Sequence, residues 1–174
     1  TWNAAELARS MMCSEHSARR YLDILSGTYI LRPLQPWFAN VGKRLVKAPK
    51  VYFRDTGLLH SLLGIHSPEE LWSHPKVGSS WEGFAISQIL RAYRDAEPYF
   101  YATHNGAELD LYLEHGGRKI GFEVKLSQAP SFTRSMAVAM TDLGLDALYA
   151  VYPGDKRYRI HEKAEALPLK LLKA

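Results

Sequence analysis

Cysteine is nearly absent: Cys13 stands alone among 174 residues. One thiol excludes an internal disulfide framework and suits a reducing compartment, so the expected location is cytoplasmic. No apolar run approaches the roughly 20 residues that span a bilayer, so no membrane segment is expected. No signal peptide is visible, although the chain begins at Thr1 rather than Met. The seven histidines are scattered, and with one cysteine they offer no zinc spacing. Gly-x-x-x-x-Gly-Lys-Ser/Thr is also missing, because Gly42-Lys43 has neither the upstream glycine nor the following hydroxyl. No ATP site or other cofactor-binding residue is therefore assigned to this chain. Repeats and low-complexity tracts are lacking too.

What is present is ordinary globular composition, 47% apolar and 23% charged, with enough length to bury a core. Charge is uneven. Residues 1–64 carry nine Lys/Arg against four Asp/Glu, a net +5 within a total of +4, so the remainder is slightly acidic. Such asymmetry fits a polyanion-facing module joined to something else, and equally a solvated basic face.

Two segments carry the most chemistry. In Ala107–Glu114, leucines at 109, 111 and 113 alternate with polar residues, and in Lys119–Leu126 the apolar set is Ile120, Phe122, Val124 and Leu126. Both read as strands with one apolar face. His115-Gly116-Gly117-Arg118 joins them as a two-residue turn, since both glycines accept positive φ. Pairing His115 with Arg118 sets Asp110 opposite Glu123 and Glu108 opposite Lys125, with Cβ atoms about 4.5–5.5 Å apart. A slip of one residue would spoil both apolar faces. Two carboxylates that close repel unless a cation or proton lies between them, so the pair is a candidate metal site. The alternative is the solvated polar face of a half-buried hairpin.

Around this hairpin the pattern predicts two units. In the first, residues 1–64, Asn3 and Ser14 cap two short helices, the second ending at Gly27. A strand over Tyr29–Leu34, a Pro/Gly-rich excursion and a returning strand over Lys50–Arg54 follow, then a helix over Thr56–Leu63 capped by Asp55. Two helices and a basic hairpin make a winged-helix-like segment that lacks its first helix. Residues 65–78 read as a linker. Residues 79–174 form the second unit: a helix from Ser80 to about Arg94 with an apolar stripe of Trp81, Phe84, Ala85 and Ile89; strands at Pro98–Thr103, 107–114 and 119–126; a helix over Ser131–Leu143; and a buried strand over Ala147–Tyr152. Tyr158–His161 is a further strand candidate. Fold class is thus α/β of the α+β kind, with a mixed αβββαβ sheet in its second unit.

A carboxylate on one strand and Glu-x-Lys on the next, between helices, resembles the PD-(D/E)xK nuclease superfamily, although Leu109-Asp110 stands where the motif has Pro-Asp. The phrases Pro49-Lys-Val-Tyr-Phe-Arg-Asp-Thr-Gly-Leu58, Trp81-Glu-Gly-Phe84, Gly106-Ala-Glu-Leu-Asp110 and Phe122-Glu-Val-Lys125 sharpen the resemblance. Together they are similar to the C-terminal region of prokaryotic AAA+ ATPases that end in a nuclease-like domain. The likeness implies a restriction-endonuclease-like fold and an ATPase module upstream in cis that binds ATP. It also implies DNA as partner, and AAA+ relatives often form homo-oligomeric rings. It makes Asp110 and Glu123 ligands of Mg²⁺ or Mn²⁺, with the Val124 carbonyl as a further ligand, and Lys125 the group that positions the attacking water. Glu82 would be a third acid, as in resolvase-like members; its rival role is the N3 residue of a capping box with Ser79. Glu108 would assist, or simply pair with Lys125. Arg19, Arg20, Lys43, Arg44 and Lys47 are candidate DNA-phosphate contacts or, alternatively, docking residues for the ATPase module. Two functions follow: Mg²⁺-dependent phosphodiester hydrolysis, or a non-catalytic interaction module that kept the fold.

Overall fold

A computed structural model describes residues 1–38 and 45–172. Six α-helices and eight strands occur among them, in the order α1 (Ala4–Ser10), α2 (Glu15–Gly27), β1 (Leu31–Pro36), β2 (Lys50–Phe53), α3 (Thr56–Leu62), α4 (Pro68–Ser73), α5 (Val77–Ala92), β3 (Pro98–Ala102), β4 (Glu108–His115), β5 (Arg118–Val124), α6 (Arg134–Leu143), β6 (Ala147–Tyr152), β7 (Tyr158–His161) and β8 (Ala164–Pro168). No helix among the described residues is long and apolar enough to cross a membrane.

The helix starts follow from capping chemistry. The Asn3 carboxamide accepts from the Ala5 and Glu6 amides, Ser14 Oγ from Ser17, and the Asp55 carboxylate from Gly57 and Leu58. Each satisfies N–H groups that have no partner within the first turn.

All eight strands form one mixed sheet, ordered β2-β1-β3-β4-β5-β6-β8-β7. The fold is therefore α+β with a mixed sheet. β1 and β2 form an antiparallel hairpin whose β1 runs parallel to β3, so the first third of the chain extends the same sheet as the rest. Residues 65–78, expected to be a linker, contain α4 and the start of α5. The order α5-β3-β4-β5-α6-β6 matches the expected αβββαβ, and β5 and β6 are parallel across α6. β8, which inserts between β6 and β7, had no counterpart among the expected strands.

Two apolar clusters hold the layers together. α5 contributes Ala85, Ile86 and Ile89 to one, with Phe100, Leu111 and Phe122 from the sheet. α6 contributes Met136, Ala139 and Leu143 to the other, with Tyr101, Tyr112 and Leu148. Neighbours along a strand, such as Leu111 and Tyr112, belong to different clusters, so the two helices cover opposite faces. Phe84, expected in the α5 stripe, is instead 40% exposed. Gly121 lets α6 and its following loop approach closely: a Cβ there would lie 2.6 Å from Leu145 Cδ1 and 3.0 Å from Leu109 Cδ2.

From Leu111 to His115 the β4–β5 register is the one expected, but the ladder ends at Leu111–Phe122, before the anticipated Asp110–Glu123 and Glu108–Lys125 pairs. His115 pairs with Arg118 and Leu111 with Phe122, and Gly116 and Gly117 adopt φ of 59° and 75° at the turn. One face assignment changes. Leu109 packs with Tyr112 on the α6 side, whereas Leu111 and Leu113 pack on the α5 side. The β3–β4 ladder shifts register between Tyr99, paired with Tyr112, and Tyr101, paired with Leu109. Such a bulge breaks the two-residue alternation and re-aims the side chains beside it, here Asp110.

Candidate functional site

Four elements bring charged groups together at this bulge. Glu108 and Asp110 lie on β4, Glu123 on β5 with Lys125 just beyond it, Glu82 on α5 and Lys50 on β2. Asp110 and Glu123 are buried, at 8% and 6% exposure. Asp110 Oδ2 accepts the Val124 backbone N–H at 2.9 Å, which ties the acid of β4 to β5. Lys125 Nζ donates to Glu123 Oε1 at 2.6 Å, while Glu123 Oε2 is buried with no hydrogen-bond partner among the described residues. The Trp81 indole N–H donates to the Lys125 carbonyl at 3.1 Å and fixes the backbone where β5 ends.

Lys50 was not among the residues singled out by sequence, yet it lies at the centre. Its ammonium is 3.0 Å from Asp110 Oδ1 and 3.1 Å from Glu82 Oε1, and it also pairs with Glu108. Tyr52, two residues on and so on the same face of β2, donates its hydroxyl to Glu82 Oε1 at 2.5 Å. Gly83 lies against that ring, where a Cβ would stand 3.4 Å from Tyr52 Cδ1, in ordinary contact.

Two expectations are corrected by these contacts. Glu82 is not the partner of Ser79 in a capping box: α5 begins with Lys76 as its N-cap, without a side-chain cap, so Ser79 lies inside the helix. Glu108 pairs with Lys50 and Lys125 with Glu123, so the anticipated Glu108–Lys125 bridge gives way to two others. The bulge carries β4 out of simple alternation between Leu109 and Tyr112, next to Glu108.

Burial and crowding shape the electrostatics. Burial, then the Asp110 charge, push Glu123 up to about 7, only partly opposed by Lys125 and Lys50. Glu82 is raised by the same two causes, burial first and Asp110 second. Burial alone would lower Lys50, but Asp110, Tyr52, Glu82 and Glu108 outweigh it and hold the ammonium above the ordinary lysine range. Tyr52 is raised by burial and the Glu82 charge against the opposing effect of Lys50. Lys125 is likewise raised despite its burial, by Glu123 first. The arrangement is a buried acid cluster stabilised by two lysines, with one carboxylate able to exchange a proton near neutrality. Among the described residues, no group of three or more His, Cys, Asp or Glu is placed to hold a metal ion.

The proposed phosphate contacts are more dispersed. Arg19 is exposed, pairs with Glu15 at 3.8 Å and lies over the Trp2 ring. Arg20 and Lys47 are exposed, and Lys43 and Arg44 fall outside the described residues.

Residues 77–172, more than half of the chain, match the family profile described as domain of unknown function DUF4143. The chain belongs to the DUF4143 family. Members of that family occur in C-terminal regions associated with AAA ATPases. Residues 1–69 match a second profile, the domain of unknown function DUF8612. Uncharacterized proteins of Mycobacterium bovis and Mycobacterium tuberculosis are each 47% identical over 167 residues, covering 96% of this chain. The chain spans 38% of the length of those curated relatives. No solved structure matches the chain significantly. Within this DUF4143 chain, Lys50 and Tyr52 come from the N-terminal profile and the acids from the C-terminal one.

Proposed function

We propose that this chain is the C-terminal, nuclease-like part of an AAA+ ATPase, acting on DNA phosphodiesters with a divalent cation. The observation that carries this reading is the convergence of Asp110, Glu123, Lys125 and Glu82 from β4, β5 and α5 on one place, linked through Lys50 and the Val124 amide. Those are the residues on which the resemblance to the PD-(D/E)xK superfamily rests, within an αβββαβ order that suits a restriction-endonuclease-like domain. The relatives are much longer than this chain, which leaves room in them for an ATPase module.

The donor set suits a hard cation. Glu123 Oε2 is buried without a hydrogen-bond partner among the described residues, and carboxylate oxygens are the ligands that Mg²⁺ and Mn²⁺ prefer. Asp110 and Glu123, with the Val124 carbonyl, would hold the ion. Bound there, it would supply Lewis-acid stabilisation of the phosphate and a lower pKa for an attacking water. Lys125 stays cationic beside Glu123 and would face charge that develops on the phosphate oxygens. Arg19, Arg20 and Lys47, with Lys43 and Arg44, would add salt-sensitive contacts to the DNA backbone.

A second reading has its own support. Three of the acids already share the Lys50 ammonium, as befits a closed internal network in a non-catalytic interaction module. Incubation with branched, duplex and single-stranded DNA in Mg²⁺ or Mn²⁺ separates the two. Cleavage by the wild type that is lost in Asp110→Asn and Glu123→Gln supports the nuclease. No cleavage of any substrate with either ion favours the interaction module, and cleavage that survives Glu123→Gln refutes the assigned site.

A further inference from the structure

The acid cluster already contains a cation, and it is covalently attached. An ammonium has three donors, and Lys50 directs them at three carboxylates, those of Glu82, Asp110 and Glu108. Its side chain is 13% exposed, so solvent contributes little to balancing these acids. The two oxygens of Asp110 are not equivalent. Oδ2 is held by the Val124 N–H, a backbone donor fixed where β5 runs alongside β6, whereas Oδ1 is held by Lys50. For an ion held by Asp110, the available oxygen would therefore be the one that can change partners, which is the one Lys50 holds.

We propose that Lys50 is a tethered counter-ion that competes with a divalent cation for Asp110, so that the ion binds only as Lys50 withdraws. This inference rests on the metal-site reading of Asp110 and Glu123 given above. Its physical basis is charge: two cations within a few ångströms of the same buried acids repel, and burial leaves that repulsion poorly screened. A consequence concerns the chain as a whole. Lys50 lies in the N-terminal unit and the acids in the C-terminal one, so the position of the β1–β2 hairpin sets how readily the site takes an ion.

Calorimetric titration with Mg²⁺ and Mn²⁺ tests this on the wild type, Lys50→Met, Lys50→Arg and Asp110→Asn, each first shown to be folded by circular dichroism. Lys50→Met is expected to bind at least about tenfold more tightly than the wild type, about 1.4 kcal/mol, with Lys50→Arg close to wild type and Asp110→Asn without binding. Equal or weaker binding by Lys50→Met, with loss in Asp110→Asn, overturns the competition and leaves the metal site standing. Binding by none of the proteins overturns both. Should Lys50→Met not fold, the ¹⁵N signal of the Lys50 ammonium in the wild type decides. A shift or loss of that signal on saturation with Mg²⁺ supports withdrawal, and an unchanged signal with Mg²⁺ bound refutes it.

Discussion

Glu123→Gln separates the electrostatic part of this site from its architecture. In the folded chain the Glu123 carboxyl titrates at about 7, against 4.5 for an unperturbed group, because burial and Asp110 both disfavour its charge. Between those values the folded state holds a proton that the unfolded state has released. Stability must therefore fall as pH rises through this window, by roughly 1 kcal/mol per pH unit at its centre and about 3 kcal/mol in all. Below the window both states are protonated, and above it both are charged, so the slope vanishes at each end. Glutamine keeps the shape, carries no charge at any pH and deletes this slope. It also loses the bond from Lys125, a nearly constant cost of about 1–3 kcal/mol at pH values where Glu123 is charged. Urea unfolding of both proteins at pH 5, 6, 7 and 8 measures the difference. With an m-value of about 2 kcal/mol/M, the midpoint difference between the two should change by about 1 M across that range, in favour of glutamine at high pH. Glu82, raised in the same direction, affects both proteins and largely cancels. Parallel pH profiles for the two proteins would refute the buried, proton-holding Glu123.

Two further outcomes follow from other parts of the molecule. Gly121→Ala should cost about 1–3 kcal/mol in thermal or urea unfolding, since its methyl would lie 2.6 Å from Leu145, itself buried in the α6 cluster; an unchanged midpoint would mean that this layer has slack. If the basic N-terminal surface contacts DNA, each lost phosphate contact should reduce the slope of log affinity against log salt by about 0.9. Replacing Arg19, Arg20 and Lys47 by Ala together should flatten that slope, and an unaltered slope measured by fluorescence anisotropy would assign the charge to another role.

Local chemistry made much of this protein legible from its residues. The caps at Asn3, Ser14 and Asp55, the paired glycines at 116 and 117, and the β4–β5 register all follow from interactions spanning a few residues. Such contacts depend on sequence spacing and backbone preference alone. The αβββαβ order came through for the same reason, as strand and helix periods are written into short windows. The candidate acids were legible too, because Asp110 and Glu123 lie on adjacent strands joined by a tight turn.

Lys50 was not, although Lys50 and Tyr52 alternate with Val51 and Phe53 and so declare a shared face. Periodicity reveals that a face exists but not what it meets, and Asp110 is sixty positions away in the chain. The ion-pair exchange at Glu108 and Lys125, the turning of Leu109 to the α6 layer, and the joining of the β1–β2 hairpin to β3 were likewise settled by tertiary packing. Each depends on a bulge or a long-range strand pairing, where the energy of filling a core overrides the preferences of neighbouring residues. Sequence alone determined that candidate acids stand on two neighbouring strands joined by a tight turn. Only the folded chain decided which of them share a cation, because charge pairing is a matter of distance in space.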